Sequence, residues 1–299
     1  MPTVIIVLMK KLLVPTDFSD NARGALEYAV GLARDLEAEI TLLNVYYDPM
    51  LDSDLPTYGM TSFHRGKGNL VLTEIEVEVK HQIQELLNQV KEQSNAKIGL
   101  HTRIERGFPE QVIPQIALEG NYDMVIMGTR GKSRIFHTFF GSVTADVLQR
   151  CEVPVLAIPP ETVYRSIEHV MYASAFDPAD GLVVRQMLET LRPIDFDLYS
   201  IYIFSEHGHH YRKEDYMGLR EAMQSHMKHV IPDARMEIVA TGDRDLIAGI
   251  KAQLEDRDVD MLVMTTHARD FIGRLMHPSQ TRKMLFESEV PLLVFRVKP

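Results

Sequence analysis

One cysteine, Cys151, in 299 residues leaves no partner for an internal disulfide. The chain is therefore not a disulfide-framed scaffold and suits a reducing cytosol. Long apolar runs are missing too. No stretch approaches the ~20 consecutive apolar residues of a membrane helix, which excludes a transmembrane span. Nor is there a basic excess, since 32 Lys and Arg stand against 42 Asp and Glu, for a formal net charge of -10. That balance argues against a nucleic-acid binder, which normally presents a basic face. The first apolar run, Val4 to Met9, precedes its lysines, Lys10 and Lys11, the reverse of a secretory signal. It reads as an early strand. Met9-Lys10-Lys11-Leu12 also reads well as a start, so residues 1–8 are expected to be an extension with no role of their own.

What is present suits a globular protein: 45% hydrophobic and 25% charged residues, enough for two cores. At about 150 residues per domain the length suits two domains. The sequence repeats itself. Asp123 to Gly128 (DMVIMG) matches Asp260 to Thr265 (DMLVMT), and Cys151-Glu152-Val153-Pro154-Val155-Leu156 matches Ser288-Glu289-Val290-Pro291-Leu292-Leu293. Both matches hold at a separation of 137 residues, 123 to 260 and 154 to 291. Leu12-Leu13-Val14 and Val170-Met171-Tyr172 open the two halves. A prior search for repeats thus gives one unit used twice. The halves are residues 1–160 and 161–299, joined near Pro159-Pro160-Glu161-Thr162.

Within each half the apolar periodicity alternates. Lys11 to Pro15 reads as a short strand, and Ala22, Leu26, Ala29, Ala33 and Leu36 form one face of a helix over 21–36. Ile40 to Tyr46 is a strand, followed by a loop over 48–69 and a long polar helix from about Leu70 to Ser94. A strand (98–105), helix (109–119), strand (124–127), helix (142–150) and strand (153–158) complete the unit. Such alternation predicts an α/β fold of parallel βαβ units, with helices on both faces of the sheet. The continuous apolar runs MVIM and VPVLAI suit strands buried on both faces.

In open α/β sheets, ligands sit beyond the carboxyl ends of strands where the strand order reverses. The fourth strand ends there in Gly128-Thr129-Arg130-Gly131-Lys132-Ser133-Arg134, and Gly141-Ser142-Val143-Thr144 opens the next helix. Glycines admit close backbone approach, and a helix N-terminus offers unpaired N–H groups to phosphate. Ser142 and Thr144 add hydroxyls, while Arg130, Lys132 and Arg134 could balance phosphate charge. The competing reading is a surface loop with ordinary turn glycines, because glycine-rich loops are weak motifs.

The spacing Gly128-x2-Gly131-x9-Gly141-Ser142 resembles the G-x2-G-x9-G-[ST] nucleotide-binding signature of the universal stress protein family. Lys11 to Ser19 (KLLVPTDFS) is similar to that family's opening strand and acidic turn, Leu42 to Val45 to its second strand, and Val153-Pro154-Val155 to its last. The resemblance covers nearly the whole chain as a tandem member. It implies two tandem Rossmann-like domains, each a five-stranded parallel sheet of order 3-2-1-4-5. It implies binding of ATP, AMP or ADP, with Mg²⁺ as a further candidate, and at most slow ATP hydrolysis. Residue by residue, Asp17 matches the acidic residue at the nucleoside, flanked by Pro15 and Thr16, and Val45 the backbone that meets adenine. Gly128, Gly131, Gly141, Ser142, Val143 and Thr144 match the ribose and phosphate positions. A purely local alternative makes Asp17 a helix N-cap or part of the turn around Ser19 and Asp20. In the family the final strands of two domains pair, so here 153–158 and 290–295 are expected to pair within one chain as a pseudo-dimer. A further homodimer is left open.

The second half departs from the pattern. In place of Gly128, Gly131 and Gly141 stand Thr265, Ala268 and Pro278, with only Ser279 keeping its type; Asp17 becomes Ala175. Nucleotide is therefore expected in the first half alone. His207, His209, His210, His226 and His229 raise a zinc reading, but no H-E-x-x-H or paired C-x-x-C supports it. A serine hydrolase lacks its G-x-S-x-G elbow, and Cys151 reads as packing rather than as a nucleophile. No catalytic residue and no metal ligand is assigned. A stress-response regulator that binds nucleotide, and an interaction scaffold of the same fold, are the two function classes left.

Overall fold

The computed structural model describes residues 9–46, 62–93, 98–129, 142–174, 180–205, 213–230, 236–243, 246–267 and 290–297. The first unit runs β1 (Lys10–Pro15), α1 (Asp20–Asp35), β2 (Ala38–Tyr46), α2 (Ser62–Gln93), β3 (Leu100–Arg106), α3 (Pro109–Glu119), β4 (Met124–Gly128), α4 (Ser142–Arg150) and β5 (Val155–Ile158). The second runs β6 (His169–Ala173), α5 (Asp180–Leu191), β7 (Asp197–Ser205), α6 (Lys213–Val230), β8 (Met236–Asp243), α7 (Leu246–Asp256), β9 (Met261–His267) and β10 (Leu292–Val297). Helix α2 begins at Ser62, inside the stretch that reads as loop. Gly66 and Gly68 suggest a turn there, but a mid-helix glycine costs only ~1 kcal/mol and a long helix tolerates it.

The strands form one ten-stranded sheet of order β3-β2-β1-β4-β5-β10-β9-β6-β7-β8. Each unit therefore contributes five parallel strands in the order 3-2-1-4-5. The one antiparallel neighbour pair is β5 with β10, where Leu156 faces Leu293. One face carries a continuous core that includes Leu26, Ala29 and Leu32 of α1, Val183, Val184 and Met187 of α5, and Ile158 and Phe295 of the central strands. The other face packs Ile113 and Ile116 of α3, Val147 and Leu148 of α4, and Ile250 and Leu254 of α7. Alternate residues of each strand feed the two cores, because successive strand side chains point to opposite faces.

The two units repeat backbone hydrogen bonds as well as sequence. Asp123 donates its N–H to the Lys11 carbonyl (2.9 Å), and its carboxylate accepts the Lys11 N–H (2.8 Å). Asp260 donates to the His169 carbonyl (2.9 Å), and its carboxylate accepts the N–H groups of Glu168 (2.8 Å) and His169 (2.9 Å). Two residues earlier, Asn121 and Asp258 both adopt left-handed backbone, φ 50° and 46°, which Asn and Asp tolerate better than most side chains.

Two side-chain contacts beside α1 and α5 help to tie the units together. The Lys10 ammonium donates to the carbonyls of Glu189 (2.8 Å) and Thr190 (2.7 Å) and also to that of Arg192. These are the unpaired carbonyls at the end of α5, where a cation also meets the negative end of the helix dipole. The linker docks on α1 through Tyr164. Its ring lies edge-on to Tyr28 with centroids 5.0 Å apart, and its hydroxyl donates to Asp35. Gly31 makes room for that ring, since a Cβ there would lie 2.2 Å from Tyr164 Cδ1. Gly31→Ala should therefore expel Tyr164, despite the ~1 kcal/mol that alanine adds in helix propensity. Limited trypsin digestion at the exposed Arg165 is expected to speed up several-fold in that variant; an unchanged rate would show that the ring does not hold the linker.

Candidate functional site

Helices α1 and α4 leave neighbouring strands β1 and β4 toward opposite faces of the sheet. A crevice at the carboxyl ends of such strands is the switch point of a doubly wound sheet. The residues expected there fall into two groups. Pro15, Thr16, Asp17, Val45, Gly128, Ser142, Val143 and Thr144 are described and gather around the ends of β1, β2 and β4 and the start of α4. Arg130, Gly131 and Gly141 lie outside the described residues, as do Lys132, Arg134, Ala175, Ala268, Pro278 and Ser279.

The turn after β1 is held by its own side chains. Thr16 donates its N–H to the Leu43 carbonyl (2.8 Å), and its hydroxyl accepts the Phe18 N–H (3.1 Å). Asp17 Oδ1 accepts the Ser19 N–H (3.0 Å), and Ser19 Oγ accepts the Ala22 N–H (3.2 Å) as the N-cap of α1. Capping therefore falls to Ser19 rather than Asp17. Phe18 sits at φ 61°, left-handed backbone that aims the chain from strand into helix. Asn44, which the motif reading passed over, donates Nδ2 to the Thr16 carbonyl (2.8 Å). It is 5% exposed, and its Oδ1 has no partner among the described residues. A single Asn inside the apolar run ITLLNVY was the sequence signal for it.

The structure gives Gly128 and Thr144 local work. A Cβ on Gly128 would lie 2.8 Å from the Asn21 carbonyl oxygen, so the glycine lets the first turn of α1 approach the end of β4. Thr144 is 3% exposed, and its hydroxyl donates to the Gly128 carbonyl at 3.0 Å. It ties α4 to the strand beneath it. Ser142 is exposed at the start of α4, and Val143 packs partly against the core between them.

The other candidates separate cleanly. Burial pushes the Cys151 thiol up to about 11, with smaller opposing effects of the Val153 backbone and Arg296, so it stays a neutral packing group at pH 7. His207, His209 and His210 lie outside the described residues, while His226 and His229 are on α6. No group of three His, Cys, Asp or Glu residues placed to hold a metal occurs among the described residues. No described helix is long and apolar enough to cross a membrane.

A doubly wound parallel fold used twice, with the switch point of the first unit between the ends of β1 and β4, is the class these observations define. The family model for the universal stress protein family matches residues 9–159 and again 167–296, and the chain belongs to that family. It is 29% identical over 152 residues to a universal stress protein of Methanocaldococcus jannaschii, a match covering 50% of this chain and 82% of that one. It is 31% identical over 158 residues to a Staphylococcus aureus (strain USA300) chain named for the same family, covering 52% and 87%. The crystal structure of a universal stress protein from Archaeoglobus fulgidus superposes with a TM-score of 0.61 over 96% of each chain, at 20% identity. That likeness shows the fold.

The contact at Gly128 has a direct consequence. Gly128→Ala should set a methyl against the Asn21 carbonyl and destabilise the protein by about 1–3 kcal/mol, read as a lower urea midpoint without added ligand. Unchanged stability would mean that α1 can retreat at no cost.

Proposed function

We propose that the chain is a cytoplasmic stress-response regulator that binds one adenine nucleotide, ATP or its mono- or diphosphate, in the first unit. The observation that carries this reading is the convergence of the Pro15-Thr16-Asp17 turn, Val45, Gly128 and the exposed Ser142 at one switch-point crevice. The chemistry of the donor set fits. Asp17 and the end of β2 suit a nucleoside, while the first N–H groups of α4 and the Ser142 hydroxyl suit phosphate. Arg130, Gly131, Val143 and Gly141 complete the set by sequence. The buried Asn44 Oδ1 adds an acceptor beside the same turn. Mg²⁺ fits less well, because Asp17 is the one carboxylate in the set and one of its oxygens already accepts the Ser19 N–H.

In this reading residues 1–160 bind and 161–299 complete an internal pseudo-dimer through the β5–β10 ladder. Titration calorimetry on the full chain should give a stoichiometry near one. Gly131→Val should weaken binding at least about tenfold, a loss of ~1.4 kcal/mol, whereas Ala268→Val should leave it unchanged. A stoichiometry near two, or sensitivity at Ala268 with none at Gly131, would sink the assignment.

Turnover, if any, is slow. Phosphate transfer to water calls for a positioned base and charge neutralisation at the phosphates, and the groups assigned to that end are a helix N-terminus, hydroxyls and cations. Steady-state phosphate release should stay far below ~1 s⁻¹, the low end of ordinary enzyme turnover. Fast release abolished by Ser142→Ala would overturn the binding-only role.

One observation favours a second reading, a non-catalytic interaction scaffold. Gly128 and Thr144 are both accounted for by packing within the unit. Calorimetry without any nucleotide heat would select it.

A further inference from the structure

At the seam between the units, a cavity of about 180 Å³ opens between α1, the linker and the starts of β9 and β10. Tyr28, Arg165, Asp258, Asp260, Val290 and Pro291 line it. We propose that this cavity is a binding site for a small primary alkylammonium ion, taken up by the Asp260 carboxylate and the Tyr28 hydroxyl.

Tyr28 is 3% exposed, and its hydroxyl makes no hydrogen bond with any described residue. A hydroxyl with no described protein partner that lines a cavity is available to a bound group. Burial, and then the nearby Asp260 charge, hold this phenol well above the ordinary tyrosine value, so it remains a neutral group facing a carboxylate. Neither Asp258 nor Asp260 forms an ion pair among the described residues. Arg165, which is exposed, is the one cation among the lining residues. The lining thus carries two carboxylates against one guanidinium, a net negative charge that a further cation would balance.

The repeat shows what shape that charge takes. Asp260 has its counterpart in Asp123, fixed by the same pair of backbone hydrogen bonds, to His169 in one unit and Lys11 in the other. The residue before Lys11 is Lys10. Its ammonium lies close enough to Asp123 for that carboxylate to favour the charged form, against the burial that lowers its pKa, and it reaches the end of α5. The residue before His169 is Glu168, which is exposed. One unit thus carries an aspartate with an ammonium-bearing chain at its side; the other keeps the aspartate and has lost the lysine. A primary ammonium on a short alkyl tail restores the missing piece, with Val290 and Pro291 as apolar walls. A divalent cation is a poor occupant. It takes six or more oxygen ligands, and Asp260 Oδ2 already accepts two N–H groups.

The probe is n-butylammonium chloride, with n-butanol as its uncharged match, titrated into the full chain with ring-labelled tyrosines. The expected result is a saturable shift of the Tyr28 resonance with butylammonium alone, with a Kd on the order of 1 mM for so small a ligand. Tyr28→Phe should weaken binding about tenfold by calorimetry, since it removes a hydrogen bond to a charged group. Glu168→Lys restores a lysine at the position equivalent to Lys10, on an exposed site that should tolerate it, and should abolish butylammonium binding. No saturable shift, an equal response to butanol, or unchanged affinity in Glu168→Lys would each overturn the proposal. None of these readouts depends on nucleotide.

Discussion

The antiparallel ladder between β5 and β10 is the constraint on which the rest of the molecule depends. Each unit ends on a short, fully buried strand, VLAI in one and LLVF in the other, and an open edge of that kind recruits other chains. Pairing the two edges removes both at once. Of the edges that remain, β3 and β8, the first is different in kind. Strand β3 carries His101, Arg103, Glu105 and Arg106, with Arg103 Nε on Glu105 at 2.7 Å, and such charged edges discourage further pairing. Once the sheets are fused, α1 and α5 share one core. The linker must then cross α1, and Lys10 comes within reach of the end of α5.

Fusion preserves the frame while leaving side chains free to differ. Thr16 and Ser174 make the same backbone bond at the end of their strands, to Leu43 and Ile201, each at 2.8 Å. Around that shared point the fillings diverge. Where the first unit has Val14 and Ala22, the second has Tyr172 and Asp180, at the same sequence distances from the shared residue. Asp180 is 4% exposed and accepts hydrogen bonds from Tyr172 Oη (2.7 Å) and Ser174 Oγ (2.5 Å). A buried carboxylate is tolerated when hydroxyls satisfy it. Near the end of β6 the second unit thus carries a buried polar group of Tyr172, Ser174 and Asp180.

Much of this was legible in the sequence, and the reasons for the exceptions are physical. The alternation of periods gave the strands and helices, because burial on one or two faces dictates it. The 137-residue repeat, as from Asp123 to Asp260, located both aspartates without revealing that they clamp the first strand of each unit. The crevice was legible as a position, since Gly128, Ser142 and Asp17 sit at element ends. The work done there was less legible. A glycine demanded by the Asn21 carbonyl and one demanded by a phosphate look alike in a sequence, and so do a threonine tied to Gly128 and one aimed at a ligand. Helix α2 ran past the glycines that suggested a loop. Lys10, Gly31, Asn44 and Tyr164 carried no periodic signal, because their partners are distant in the chain or lie in the other unit.

Lys10, Gly31 and Tyr164 also show where asymmetry enters a repeated protein. A substitution at the seam changes one unit's side of it and leaves the equivalent position of the other unit intact. Lys10 closes the end of α5 with its ammonium; across the seam Glu168 cannot do the same for α1, and Tyr164 covers that helix with an aromatic ring and a hydroxyl on Asp35. The two solutions hold equivalent helix ends by different chemistry, charge in one case and packing in the other. The cavity beside Tyr28 lies on the linker side of the seam. The repeat therefore carries the shared frame, and the linker, which docks on α1 through Tyr164, carries part of the difference between its halves.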